Sequence, residues 1–372
     1  MKILYGANFR VGQTGEFLAI ALERMGIDLV PFTPSGDAPD GWLTVDPQVD
    51  AVELFRAEAA DADLFLMVES STGQPFLPRN IPDLPIPTAY WLYDNYLNFR
   101  WNKEVAALFD HVYFAQQYRM RQAHAYGRTN VHWLPFAADE VFHRNFHCDR
   151  DIDIGYVGSI TGQKKRYFAD LEKAGLTVTT NDRYLSYDEI GRFYSRCKVV
   201  YNILARRDMN VRTFEAPAAG AVVVNQRWID EGVHDIFKEG ESMLFHSFRD
   251  APSIIRRILA DDAERERIGA NGERIVMAGH TYRHRAQRII DAAAVGVTDG
   301  RVARNRSFVI PVAEGLTCLH RDFGWFGRAQ AAMKTAFRRS FGGTVRALLR
   351  FGWWRIKEKV EKTIWSFGVA PV

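Results

Sequence analysis

Cysteine is scarce in this chain. Cys148, Cys197 and Cys318 are the only three in 372 residues, far apart and in no C-x-x-C spacing. That excludes a disulfide framework or a cysteine-based metal site as the organising element and fits a reducing cytoplasm. Long apolar runs are also missing: none reaches the roughly 18 uninterrupted residues that argue for a spanning helix. The opening Met1-Lys2-Ile3-Leu4-Tyr5-Gly6 has too short an apolar run for a secretory leader. There is no internal repeat, no low-complexity segment, no G-x-x-x-x-G-K phosphate loop and no G-x-G-x-x-G fingerprint.

What is present is ordinary globular composition, 47% hydrophobic and 25% charged, in a length that suggests two domains and something more. The net charge of +3 hides an asymmetry. Residues 301–372 carry 14 Lys and Arg against 4 Asp and Glu, a balance of +10, which leaves −7 on the first 300. An acidic body with a basic tail points to a polyanion or an anionic membrane as a partner of the tail.

Apolar runs at Lys2–Tyr5, Ile27–Phe32, Asp63–Val68, Thr88–Leu92, His111–Phe114 and Val131–Leu134 read as strands spaced for crossovers rather than hairpins. Phe17, Leu18, Ala21 and Leu22 recur at helical spacing between the first two. A polar connection over 138–150 precedes a second series: strand Asp153–Val157, helix Gly162–Ala174, strand Leu176–Thr179, a helix opened by Ser186 with Glu189 at capping-box spacing, and strands Val199–Ile203 and Ala221–Val224. Residues 250–293 are helical in pattern. Two α/β units with parallel sheets follow. In the tail, Gly342-Gly343 separates two helical stretches, the second with a seam of Val345, Leu348, Leu349, Trp353, Ile356, Val360 and Phe367.

Two segments carry chemistry. In Asp153-Ile154-Gly155-Tyr156-Val157-Gly158-Ser159, a strand ends in a glycine turn, and Lys164, Lys165 and Arg166 follow at the start of a helix. Glycine permits close backbone approach, and helix-start amides with cations suit a diphosphate; an ordinary strand-to-helix turn reads the same way. In Asn210-Val211-Arg212-Thr213-Phe214-Glu215, Arg212 and Glu215 share a helix face. The small and apolar residues around them imply burial, so the charges need partners. Two ribose hydroxyls on the carboxylate and a phosphate on the guanidinium would supply them.

Together these segments resemble the group 1 glycosyltransferases of the GT-B fold, in particular their CgeB-like (spore-maturation-protein-like) group. Leu185-Ser186-Tyr187-Asp188-Glu189-Ile190, Val200-Tyr201-Asn202-Ile203, Ala219-Gly220, His280-Thr281-Tyr282-Arg283-His284 and His132-Trp133-Leu134-Pro135-Phe136-Ala137-Ala138-Asp139 share in the match. It covers roughly residues 85–293 well, 1–84 weakly and the basic tail not at all. The resemblance implies two Rossmann-like lobes facing across a cleft, an acceptor lobe over 1–138 and a nucleotide-sugar lobe over 151–295; charge and helical pattern add a basic amphipathic extension over 301–372. The resemblance also implies Glu215 on the ribose, Gly158 and Ser159 against the diphosphate, and Lys164, Lys165 and Arg166 as phosphate cations. Asn202, Asn210 and Arg212 fall near phosphates or sugar, and Tyr184 in the loop near the base. Many relatives carry a glutamate eight positions before the ribose-binding one; here Arg207 stands there, with Asp208 beside it.

On the acceptor side, Asp94 in Trp91-Leu92-Tyr93-Asp94-Asn95-Tyr96 is the leading carboxylate for a base, with Glu69 at the end of an earlier strand. Asp followed by Asn is equally turn chemistry. The Asp151–Asp153 spacing is a weak metal signal, and His143 and His147 lack further ligands, so neither a metal nor any other cofactor is expected. His280 and His284 read as packing residues. The expected activity is sugar transfer from a nucleotide-sugar to a glycan, lipid-linked or protein acceptor in the cytoplasm, without nucleic acid; the tail reads either as a surface helix pair on an anionic membrane through Trp325, Trp353, Trp354 and Trp365 or as helices packed on the protein or a partner subunit. A catalytically silent binding protein and a nucleotide-sugar epimerase of the same fold remain open at this point.

Overall fold

The computed structural model describes residues 1–34, 36–69, 76–162, 164–183, 185–204, 208–228, 232–247, 249–294, 309–318, 325–340, 342–350 and 352. The first lobe runs β1 (Lys2–Ala7), α1 (Thr14–Arg24), β2 (Asp28–Thr33), β3 (Leu43–Thr44), α2 (Ala51–Glu58), β4 (Leu64–Val68), β5 (Thr88–Leu92), α3 (Asn95–Val105), β6 (His111–Phe114), α4 (Gln117–Ala125) and β7 (Val131–Trp133). Its seven strands are parallel, in the order β3-β2-β1-β4-β5-β6-β7. Every residue of β4 and β5 is buried, as a strand covered on both faces by helices must be.

The second lobe runs β8 (Ile152–Val157), α5 (Lys164–Lys173), β9 (Thr179–Asn181), α6 (Tyr187–Arg196), β10 (Cys197–Asn202), α7 (Arg212–Ala218), β11 (Val222–Gln226), α8 (Val233–Ile236), β12 (Leu244–His246), α9 (Ala251–Ala260), α10 (Asp262–Gly279) and α11 (Tyr282–Ala294). Its parallel sheet has the order β12-β11-β10-β8-β9, so the chain reverses direction across the sheet between β8 and β10. Ligands of open parallel sheets settle at the carboxyl ends of the strands, at such a reversal. The capping box reads as expected: Glu189 accepts from the Ser186 N–H at 2.9 Å and its hydroxyl at 2.8 Å. These bonds pull the Glu189 carboxyl down to about 2. The strand expected over Leu176–Thr179 sits later, at Thr179–Asn181, because Gly175 ends the preceding helix with φ of 72° and a short loop intervenes. The three cysteines are free thiols.

Backbone pairing and a buried cation help to join the lobes. Ala138 pairs with the chain entering α11, donating to the His280 carbonyl and accepting from the Tyr282 N–H. Arg285, 1% exposed, donates to the carbonyls of Pro135, Phe136 and Gly279 and to His280 Nδ1. Burial pulls its pKa down to about 9, yet every acceptor around it favours the charged form. α11 then crosses onto α1, stacking Tyr282 on Phe17 at 5.4 Å.

The extension divides in two. α12 (Val309–Cys318) packs on α3 of the first lobe, with Ala313 inside that lobe's core. α13 (Phe326–Arg339) packs on α12, where Gly315 lets Met333 approach. Trp325, expected at a membrane surface, instead packs against the first lobe's core with Arg328 over its ring at 5.5 Å, because the turn into α13 buries it there. Of the expected seam, Leu348 packs on α12 and α13 while Leu349 stays 68% exposed. Trp353, Trp354, Ile356, Val360, Trp365 and Phe367 lie outside the described residues. No helix among the described residues is long and apolar enough to cross a membrane.

Replacing Arg285 with Met keeps the bulk but leaves buried carbonyls unpaired, each costing about 1–3 kcal/mol. We expect a loss of about 3 kcal/mol or more in urea unfolding, with the crossing of α11 failing first in hydrogen exchange.

Candidate functional site

The carboxyl ends of the two sheets face each other. Gln116, just after β6, donates to Asp208 Oδ1 at 2.9 Å and accepts from the Met209 N–H at 2.9 Å, both beyond the end of β10. Tyr187 of α6 donates to Glu16 Oε1 of α1 at 2.7 Å. The candidate site lies between these bridges.

On the second lobe, Gly158 leaves β8 with φ of 122°. A side chain there would be strained and would sit 3.2 Å from Arg212 Nη2. Arg212 donates to the Val157 carbonyl and to Asn202 Oδ1 at 2.7 Å, tying the ends of β8 and β10 together at the reversal. It lies over the Tyr156 ring at 4.5 Å, and its Nε is buried without a hydrogen-bond partner. Asn202 has no exposed surface, and its amide bonds Asn210, Thr213 and Asn225 as well as Arg212. It therefore builds the site rather than lining it. Asn210, half-buried, in turn accepts from the Thr213 N–H at the start of α7.

Lys164 opens α5, and its ammonium donates to the Tyr156 hydroxyl at 3.0 Å and the Ser159 carbonyl at 3.4 Å. Lys165 and Arg166 are exposed on the same turn, so of the three cations only Lys164 turns inward. Tyr184 lies outside the described residues, as does Arg207.

Arg212 and Glu215 share one helix but form no ion pair among the described residues. Arg212 turns to the strand ends, whereas Glu215 turns to His143, whose Nε2 is 3.8 Å from Glu215 Oε1. Glu215 is 5% exposed, and burial pushes its carboxyl up to about 7 against the opposing pull of Arg212. A carboxylate kept poorly solvated and short of donors is set up to accept hydroxyls.

Across the gap, Asp94 stands at the start of α3 but its side chain makes no capping bond, and Oδ2 is buried without a partner. The turn-capping reading of Asp94 does not describe this geometry. Its neighbour Glu69 accepts from the Asp94 N–H at 2.8 Å and from Asn98 at 2.9 Å. Burial first, then the charges of Glu69 and Asp208, raise the Asp94 pKa well above the usual carboxylate range. Burial also lifts Asp208 to about 7, while Arg212 and Lys164 pull it down. Asp208 thus links the first lobe's carboxylates to the second lobe's cations. Sequence reasoning noted it only as the neighbour of Arg207, because an isolated Asp in a polar loop gives no sign of burial.

Asp151 and Asp153 pair on the surface with Arg196 and Lys198, at the opposite end of β8 from the site. Among the described residues no group of three or more His, Cys, Asp or Glu could hold a metal ion. His147 is exposed, whereas His143 has no exposed surface; the four-residue spacing of the pair gives no sign of that burial.

Residues 140–291 match the family described as glycosyl transferase-like. The fold is similar to sucrose-phosphate synthase from Thermosynechococcus elongatus, with TM-score 0.55 and 14% identity over 78% of this chain and 98% of that one. It is similar to Anabaena HepE in complex with UDP, with TM-score 0.57 and 12% identity over 79% and 100%. A glycosyltransferase from Rickettsia africae gives TM-score 0.56 and 8% identity over 78% and 97%. No curated protein matches by sequence. The family match falls on the lobe that carries Gly158, Arg212 and Glu215, and the two facing parallel sheets give the chain the GT-B fold of these structures.

Proposed function

We propose that the second lobe binds a nucleotide-sugar, with its ribose on Glu215 and its diphosphate between Gly158, Ser159, Lys164 and Arg212, and that the first lobe presents an acceptor hydroxyl. The observation that carries this reading is the divergence of Arg212 and Glu215 from one turn of α7, two buried charges aimed at different places in one cleft. An anion and a pair of hydroxyls, joined in one molecule, answer both. HepE structures are described with UDP and with UDP-glucose, so a uridine nucleotide is the first donor to try.

Transfer then breaks the bond from the anomeric carbon to the diphosphate, whose electron pair leaves with the nucleotide. The acceptor oxygen bonds that carbon, and its proton passes to a carboxylate. Arg212, Lys164 and the first amides of α5 stabilise the leaving charge. Asp94, with a raised pKa and a buried Oδ2 that has no hydrogen-bond partner, is the proposed base of an inverting reaction. The tail and the CgeB-like motifs fit work on a surface polysaccharide or its lipid-linked precursor at a membrane.

That membrane contact has a surface. Residues 326–350 contain no Asp or Glu, and Lys334, Arg338, Arg339, Arg346 and Arg350 are exposed. Phe326 and Leu349 stand beside them 70% and 68% exposed. Basic residues around exposed apolar ones are the chemistry of interfacial helices.

Calorimetric titration with UDP-glucose tests the donor site. Glu215→Ala should weaken binding about tenfold or more; unchanged affinity would remove the reading. The sugar diphosphate diester does not titrate near neutrality, and hydroxyls need an ionised Glu215. Affinity should therefore be full above pH 8 and decline below pH 7, where the carboxyl takes up its proton, by up to about tenfold per unit. Glu215→Gln should flatten that part of the profile. Asp94→Asn should leave donor affinity intact and cut turnover about 10²–10⁴-fold.

For the tail, the full chain should float with vesicles containing phosphatidylglycerol and be released by salt. Changing Lys334, Arg338, Arg346 and Arg350 together to Gln should cost on the order of a thousandfold, at about 1 kcal/mol per cation. Equal binding by the two proteins would dismiss the surface.

A further inference from the structure

His143 sits in the connection between the lobes with no exposed surface. Its Nδ1 accepts the backbone N–H of Asp139 at 2.9 Å. A ring nitrogen that accepts carries no proton, so in the neutral imidazole the proton is on Nε2. Burial keeps the ring neutral, holding its pKa down at about 4 against the pull of Asp139. The Asp139 carboxylate is itself engaged by Arg24 at 2.8 Å and by the N–H groups of Val141 and Phe142 at 2.9 Å. Phe17 meets the ring edge-on at 5.0 Å. The remaining nitrogen, Nε2, is buried without a hydrogen-bond partner and lies 3.8 Å from Glu215 Oε1.

We infer that His143 is a positioning residue for Glu215, its Nε2–H fixed toward the carboxylate and closing onto Oε1 when Glu215 takes the ribose hydroxyls of a nucleotide-sugar. The inference rests on the donor site proposed above. A carboxylate offers about four acceptor positions, and two hydroxyls use half of them. A donor behind the group fixes its rotation and favours the ionised form. The gap closes with a side-chain movement of about 1 Å, the scale on which hydrogen bonds of unliganded sites tighten. The capacity is built by the backbone: the Asp139 amide selects the tautomer, and the connection between the lobes places the ring. His143 thereby joins the interlobe segment to the ribose site.

The two ring nitrogens can be separated by substitution. Asn offers an oxygen near Nδ1 and nothing at Nε2; Gln offers an amide nitrogen near Nε2. The readout is the affinity ratio of UDP to 2′-deoxy-UDP at pH 8, measured by calorimetry on the full chain. The unmodified protein should prefer UDP about tenfold or more, and Glu215→Gln should abolish the preference. Absence of any preference in the unmodified protein would overturn the ribose assignment, and this inference with it. With the preference present, His143→Asn should reduce it several-fold while His143→Gln retains most of it. The opposite ranking, or two variants that both keep the full preference, would overturn the role of His143 and leave the donor site standing. Should either variant fail to fold, nitrogen-15 NMR of the unmodified protein decides. A protonated Nε2 and bare Nδ1 at neutral pH are expected, and the reverse tautomer would refute the inference.

Discussion

The relative placement of the two sheets depends on the guanidinium of Arg285. A single polar connection joins the lobes, and on its own it would act as a hinge. Arg285 closes that hinge from the far end of the chain, gathering carbonyls from Pro135 and Phe136 in the connection and from Gly279 at the end of α10. Once that is done, α11 must lie on α1, and Tyr282 must stack on Phe17. The first turn of α1 then stands opposite α6, where Tyr187 reaches Glu16. The planar fork of arginine suits this task because it can serve several carbonyls at once without losing its charge.

Within that frame the site is a problem in burying charge. Burial by itself would neutralise Asp94, Asp208 and Glu215, and their raised pKa values record that pressure. Arg212 and Lys164 oppose it from the second lobe. The resulting cleft holds carboxylates and cations that are each only partly satisfied by the protein. Such arrangements are unfavourable for stability and are kept where a ligand completes them.

Much of this was legible in the sequence. The strands of the first lobe, apart from the two-residue edge strand β3, were visible because parallel strands covered on both faces are continuous apolar runs, and His111–Phe114 begins and ends where the pattern says. The Ser186–Glu189 cap was legible because its chemistry is local. The partition of α7 was not: spacing puts Arg212 and Glu215 on one face, but only the strands they meet decide that one turns to β8 and β10 and the other to the interlobe connection. Lys164, Lys165 and Arg166 look alike in sequence, and the helix register alone sends Lys164 inward. Trp325 reads as an interfacial aromatic and is a core contact, since aromatic and basic composition describes a protein surface and a membrane surface equally well. The buried state of Asp208 and His143 depends on segments distant in sequence, which no local pattern encodes.

The return of α11 and α12 to the first lobe has a consequence for biosynthesis. The first sheet is complete at Trp133, yet the surfaces of α1 and α3 that these helices cover stay bare until the whole second lobe has been made. At about 5–20 residues per second, roughly 10–30 s separate the emergence of β7 from that of α11. During that interval the nascent first lobe exposes Phe17 and its apolar neighbours on the ribosome. The chain therefore cannot mature as two beads in succession. Its amino-terminal half is finished last, by its carboxyl-terminal helices.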